Sequence, residues 1–96
     1  MTKAEVISII SDKTGVDKAV TSITVEAFFQ TVKDSLAAGE AIYVRGFGSF
    51  VNKKRAEKKA RNISKKTTVT VPAHYIPSFK PSKEFVVAVK NNVEIK

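Results

Sequence analysis

At 96 residues the chain has the length of one small domain, and its 17 lysines and arginines against 9 acidic residues give a net charge of +8. A chain this short buries a smaller share of its surface on folding than a longer one, so a second chain is expected to supply part of the core. The absence of cysteine excludes disulfide staples and thiolate metal sites; residues 1–5 lack a basic segment followed by an apolar run, and no stretch approaches the ~20 apolar residues of a membrane span, so a cytoplasmic location is expected.

Thr2 and Glu5 have the spacing of a capping box, in which each side chain satisfies a backbone donor at a helix start. A short first helix is predicted to follow, with Val6, Ile9 and Ile10 at helical spacing and Gly15 just past its end. Asp17 is the expected cap of a longer second helix, running to about Ala38 and stopped by Gly39. Along it Val25, Phe29, Val32 and Leu36 form one stripe, while Val20, Ile23, Ala27 and Phe28 widen the apolar surface well beyond that stripe. A helix apolar over so much of its circumference needs cover on more than one side, which a second subunit would provide.

From Ala41 the apolar period changes to two. Ile42 and Val44 alternate with Tyr43 and Arg45, Gly46-Phe47-Gly48 makes a turn, and Ser49-Phe50-Val51 completes a predicted β-hairpin. The glycine pair matches no phosphate-binding loop.

The charge is concentrated in the second half of the chain. Residues 1–50 are nearly neutral, at a net −1, whereas residues 51–96 carry +9. Between Lys53 and Lys66 the side chains of Lys53, Lys54, Arg55, Lys58, Lys59, Arg61, Lys65 and Lys66 are opposed only by Glu57. This density suits a polyanion, and the run is interleaved with strand formers, which argues against an amphipathic membrane helix. Thr67-Thr68-Val69-Thr70-Val71 returns to strong strand propensity. A second hairpin is therefore predicted over about residues 52–75, with too few apolar residues to pack on a core. It should project as an arm of roughly 30 Å, its tip near residues 61–66. Ile63 stands alone among polar residues there, and an exposed apolar residue on such an arm can wedge between base steps of a duplex.

Pro72, Pro77 and Pro81 punctuate the return, with Ile76 and Phe79 between them as expected core contacts. Ser82 is predicted to cap a last short helix through about Lys90, followed by a frayed tail over residues 91–96. Enzyme chemistry is not expected: His74 is the only histidine, and Glu5, Asp12, Asp17, Glu26, Asp34 and Glu40 fall mostly on predicted helix surfaces without a recognisable pairing. No metal site or cofactor is implied.

Gly46-Phe47-Gly48-Ser49-Phe50, Arg55-Ala56-Glu57, Arg61-Asn62, Val71-Pro72-Ala73 and Ile76-Pro77-Ser78-Phe79-Lys80 occur in this order, and together they resemble the pattern of the HU and integration host factor family of bacterial histone-like DNA-binding proteins. The resemblance covers about residues 1–90. It implies an α+β fold: an intertwined dimer with a helical base (residues 1–40), a three-stranded antiparallel sheet extended into a β-hairpin arm per subunit (residues 41–81), and a C-terminal helix (residues 82–90). Val25, Phe29, Val32, Leu36, Phe47, Phe50 and Phe79 would be core residues of that dimer. The partner implied is double-stranded DNA in the nucleoid, bent and bound in the minor groove with little sequence preference. Arg55, Lys58, Arg61 and Asn62 would lie along the groove, with Lys53, Lys59, Lys65 and Lys66 adding phosphate contacts and Lys54 counted among the DNA-binding residues. Lys3, Lys80 and Lys83 would meet the backbone beside the body, and the main chain at Gly46 would approach phosphate. The residue after Arg-Asn is commonly an intercalating proline in this family and is Ile63 here; Lys65-Lys66 stand where the family usually has a glycine turn. A homodimer is expected; a heterodimer with a paralogue, a site-specific mode of binding and RNA or general polyanion binding stay open.

Overall fold

The computed structural model describes residues 1–62 and 67–95, with side chains placed outside residues 60–69. Two helices, a β-meander with a protruding hairpin, and a third helix follow one another along the chain.

Helix α1 spans Lys3–Thr14, and the Thr2 hydroxyl accepts from the Glu5 backbone N–H at 3.3 Å. The reciprocal half of the expected capping box does not form among the described residues. Gly15 ends the helix in the left-handed conformation, φ 75°, which glycine adopts without steric cost. The buried residue of α1 is Ile7, whereas Ile9 and Ile10, expected on the core face, are exposed in the single chain. Helix α2 spans Lys18–Ala37 with Asp17 at its N-cap position, but the Asp17 side chain caps nothing. The first turn is held instead by Thr21, buried, whose hydroxyl donates to the Asp17 carbonyl at 3.0 Å.

Strands β1 (Ile42–Val44), β2 (Gly48–Arg55) and β5 (His74–Pro81) make an antiparallel sheet in the order β1-β2-β5, and β3 (Lys58–Asn62) pairs with β4 (Thr67–Val71) as a separate two-stranded ribbon. The expected sheet and hairpin arm are both present. β5 is longer than its prolines suggested: Pro77 and Pro81 sit inside it, on the edge of the sheet, where a missing backbone donor is tolerated. Helix α3 spans Lys83–Asn92, capped by the Ser82 hydroxyl, which accepts from the Phe85 backbone N–H at 3.2 Å. It runs two residues past the expected end at Lys90, because the Asn92 amide donates to the Ala88 carbonyl at 2.7 Å.

Phe50 faces Ile42 on one side and Phe79 on the other. Strand periodicity then places Gly48, Phe50, Asn52 and Lys54 of β2 on the inner face, with Tyr75, Pro77 and Phe79 of β5. Ser49, Val51, Lys53 and Arg55 share the outer face with His74, Ile76, Ser78 and Lys80. Ile76, expected beside Phe79 in the core, therefore lies on the opposite face, cross-strand from Lys53.

All six phenylalanines belong to one inner cluster, with Phe47–Phe79, Phe50–Phe79 and Phe47–Phe85 ring centroids 5.0, 5.2 and 5.3 Å apart. Phe47, Phe50 and Phe79, expected as core residues of a dimer, pack on one another here, with Phe47 and Phe79 still 43% and 38% exposed, and Phe85 joins them. Gly48 belongs to the same packing. A Cβ there would come within 2.5 Å of the Lys80 carbonyl oxygen and 2.7 Å of the Phe79 ring. Gly48→Ala is expected to destabilise the fold by about 2 kcal/mol through overpacking and to lower Tm by roughly 10 °C, read from a thermal melt followed by circular dichroism.

The cluster is not closed by this chain. Among the described residues only Ile7 and Leu36 are buried apolar side chains, while Phe28 and Phe29 are 46% and 49% exposed. They border an open apolar groove of about 950 Å³, lined also by Val25, Phe47, Phe50 and Phe79.

Candidate nucleic-acid interface

The outer face of the sheet and the ribbon beyond it carry the cationic residues. Lys53 and Arg55 point outward from β2 beside Ile76 and His74, and Lys80 lies in one row with Ser49 and Tyr43. Lys54, between Lys53 and Arg55 in sequence, falls on the other face, opposite Tyr75. The period-2 geometry thus divides a run that composition treats as one block.

After a break at Ala56-Glu57, the basic strand β3 resumes with Lys58 and Lys59, exposed and paired with Val71 and Thr70 of β4. Arg61 and Asn62 continue β3, with Thr68 and Thr67 as backbone partners. β4 is uncharged, so the charge of this ribbon lies along one strand. Ile63, Lys65 and Lys66 lie outside the described residues.

At the other end of the sheet, the turn through Gly46 is bound to the start of α3. The Phe47 N–H donates to the Val44 carbonyl at 3.0 Å, the Ser82 hydroxyl donates to the Gly46 carbonyl at 3.0 Å, and the Ser82 N–H donates to the Phe47 carbonyl at 2.9 Å. Gly46 has φ 79°, in the left-handed region. Lys83, the first residue of α3, is exposed, as are Lys80 and Arg45. A shallow hollow of about 680 Å³ on the outer face connects this turn to the Tyr43–Ser49–Lys80 row.

Two residues here are not singled out by the sequence pattern. Tyr43 is 77% exposed and aromatic on an otherwise polar outer row, and Arg45 stands in the turn beside it. Their signal is the alternation of β1 itself, which sends Tyr43 to the face opposite Ile42. Lys3 sits apart from both groups, at the start of α1, and forms an ion pair with Glu26 of α2 at 2.9 Å. It is the only ion pair among the described residues, and both partners are more than half exposed. Such a pair contributes little stability.

The chain matches the family described as "Bacterial DNA-binding protein" over residues 1–90. The chain belongs to this family. Among HU proteins of the family, the SPbeta prophage-derived DNA-binding protein HU 2 of Bacillus subtilis is 38% identical over 90 residues, spanning 94% of this chain and 98% of that one. The DNA-binding protein HU of Thermotoga maritima is 34% identical over 94% of this chain and 100% of its own length. The fold superposes on the Anabaena HU–DNA cocrystal structure with a TM-score of 0.87, at 27% identity, covering 93% of this chain and 97% of that one. With the Thermotoga maritima HU mutant V42I the TM-score is 0.71 at 29% identity, over 93% and 99% of the two chains. The HU family is a family of structural DNA-binding proteins and not of enzymes.

Proposed function

We propose that this chain is an architectural protein of double-stranded DNA, holding bent duplex against a basic sheet face and a basic β-ribbon with little sequence preference, and compacting DNA in the bacterial nucleoid. The observation that carries this reading is the placement of cations along extended backbone: Lys80, Lys53 and Arg55 share the outer face of one sheet, and Lys58 and Lys59, both exposed, follow on strand β3 of the ribbon. Cations spaced along extended backbone can follow a phosphate backbone and release its counterions. Few side chains in this row are suited to bidentate reading of base edges, and the minor groove presents a degenerate pattern in any case.

Arg55, Lys58, Arg61 and Asn62 are assigned to the groove, Lys53, Lys59, Lys65 and Lys66 to phosphates, and Gly46, Lys80 and Lys83 to the backbone beside the body; Lys54 and Lys3 take a lesser part. The working unit is a homodimer. Its base is formed by residues 1–40 with the C-terminal helix, its saddle and arms by residues 41–81. The open phenylalanine groove supports this assembly, because an apolar surface of that size on a chain with only two buried apolar side chains among the described residues calls for a second copy.

The test is a duplex of ~30 base pairs, of the size an architectural dimer spans, labelled at both ends for energy transfer and titrated with protein. Binding accompanied by a rise in transfer is expected, and binding with no shortening of the end-to-end distance defeats the architectural reading. In the same assay Ile63→Ala is expected to reduce bending more than affinity, since a wedge that unstacks a base step acts on DNA shape. Equal bending by the variant removes Ile63 from the mechanism.

A further inference from the structure

Strand β1 pairs with β2 only as far as Phe50. From Val51 onward β2 is flanked by β5 alone, and a two-stranded ribbon without a third strand is marginal and twists freely. Within the single chain, packing adds little to it. Beneath this stretch lies a hollow of about 550 Å³, bounded by Val32 and Leu36 of α2 on one side and by Tyr75 and Pro77 on the other. One side-chain hydrogen bond crosses it among the described residues. The Asn52 side-chain amide, partly buried, donates to the Leu36 carbonyl at 2.8 Å.

That acceptor is suited to fixing a direction. The Leu36 side chain is buried, so its backbone is held by the helical body. Its carbonyl belongs to the last turn of α2, where carbonyls lack intrahelical partners, and it also accepts from the Gly39 N–H at 3.0 Å. Asn52 is the last inner-face residue of β2 before the charged segment, and among the described residues no other side-chain hydrogen bond joins β2 to the helices. We infer that Asn52 is a positioning residue: its amide ties the root of the arm to the end of α2 and so sets the angle at which Lys53, Arg55 and the ribbon beyond them leave the body. This rests on the DNA-bending reading for its functional consequence, though not for the tether itself.

The tether is read first on the free protein, by amide hydrogen exchange. Two variants remove the donor. Asn52→Val keeps strand propensity, and Asn52→Asp keeps the shape of the side chain while placing oxygen against the carbonyl. In both, exchange at the amides of the root, Lys53 to Arg55 and His74 to Ile76, is expected to quicken by roughly 2- to 10-fold, the factor that one net hydrogen bond is worth. The amides of Ser49 and Phe50 should be unchanged. End-labelled duplex at saturating protein is then expected to show a lower mean transfer and a broader distribution with either variant.

Faster exchange throughout the sheet in Asn52→Asp overturns the proposal, since the residue then serves the core and not the arm. Unchanged exchange at the root overturns it also, as does faster root exchange with wild-type bending. Should the wild-type protein fail to bend DNA, the DNA reading falls, and the exchange data on the free protein still decide the tether.

Discussion

Phe29→Asp is expected to abolish the dimer and, with it, the fold at micromolar concentration. Phe29 is 49% exposed in the single chain, and its ring lies 5.7 Å from that of Phe28 on the wall of the apolar groove. Removing a core phenylalanine side chain costs about 3–5 kcal/mol, and an ionised carboxylate in an apolar interface adds several kcal/mol more. The two-fold relation of a homodimer applies both penalties twice. A small domain holds about 5–15 kcal/mol in total, so the variant should lose its helical circular dichroism signal and sediment as a monomer. The wild-type chain should melt at a temperature that rises with protein concentration, as obligate dimers do. A compact, folded Phe29→Asp monomer, or a wild-type Tm independent of concentration, would contradict the homodimer.

The features legible in the sequence are those that depend on neighbouring residues. The caps at Thr2 and Ser82 and the stops at Gly15 and Gly39 are local devices, and all four act through atoms within four residues of themselves. The alternation around Phe50 likewise marks the inner face of the sheet. Harder to read are features whose cause lies elsewhere in the chain. Asp17 looks like a cap, yet the Thr21 hydroxyl takes over the first turn. Nothing local distinguishes Ile7 from Ile9 and Ile10, because which of them is covered depends on the crossing of α1 over α2. Prolines at positions 77 and 81 suggest loop, and only the sheet order reveals that β5 is an edge strand able to hold them.

The interface is legible to a similar extent. Charge density locates the arm, but density carries no direction. Lys54 and Lys53 are equivalent in composition and opposite in the sheet, a difference that appears once the register Lys53↔Ile76 and Lys54↔Tyr75 is known. Asn52 is inconspicuous beside that run because its partner, the Leu36 carbonyl, is 16 residues away and belongs to a backbone that sequence patterns do not display.

The same division of faces gives the second large effect. If a dimer neutralises six to ten phosphates, log K should fall against log salt with a slope of about −5 to −9, and affinity should drop by roughly 10³ to 10⁵ between 50 and 200 mM salt. Lys53→Ala and Arg55→Ala each remove one outward cation per subunit, two per dimer, so each should flatten the slope by about 2. Lys54→Ala removes the same charge from the face turned toward Tyr75. It lowers net charge equally, and long-range attraction falls equally in all three variants, but no phosphate is expected to lose its partner, so its slope should stay near that of the wild type. Fluorescence anisotropy titrations of one duplex at several salt concentrations read all three. If the three variants flatten the slope alike, net charge and not the facing of the strand governs binding; if only the outer pair does, the contact surface is the outer face of β2.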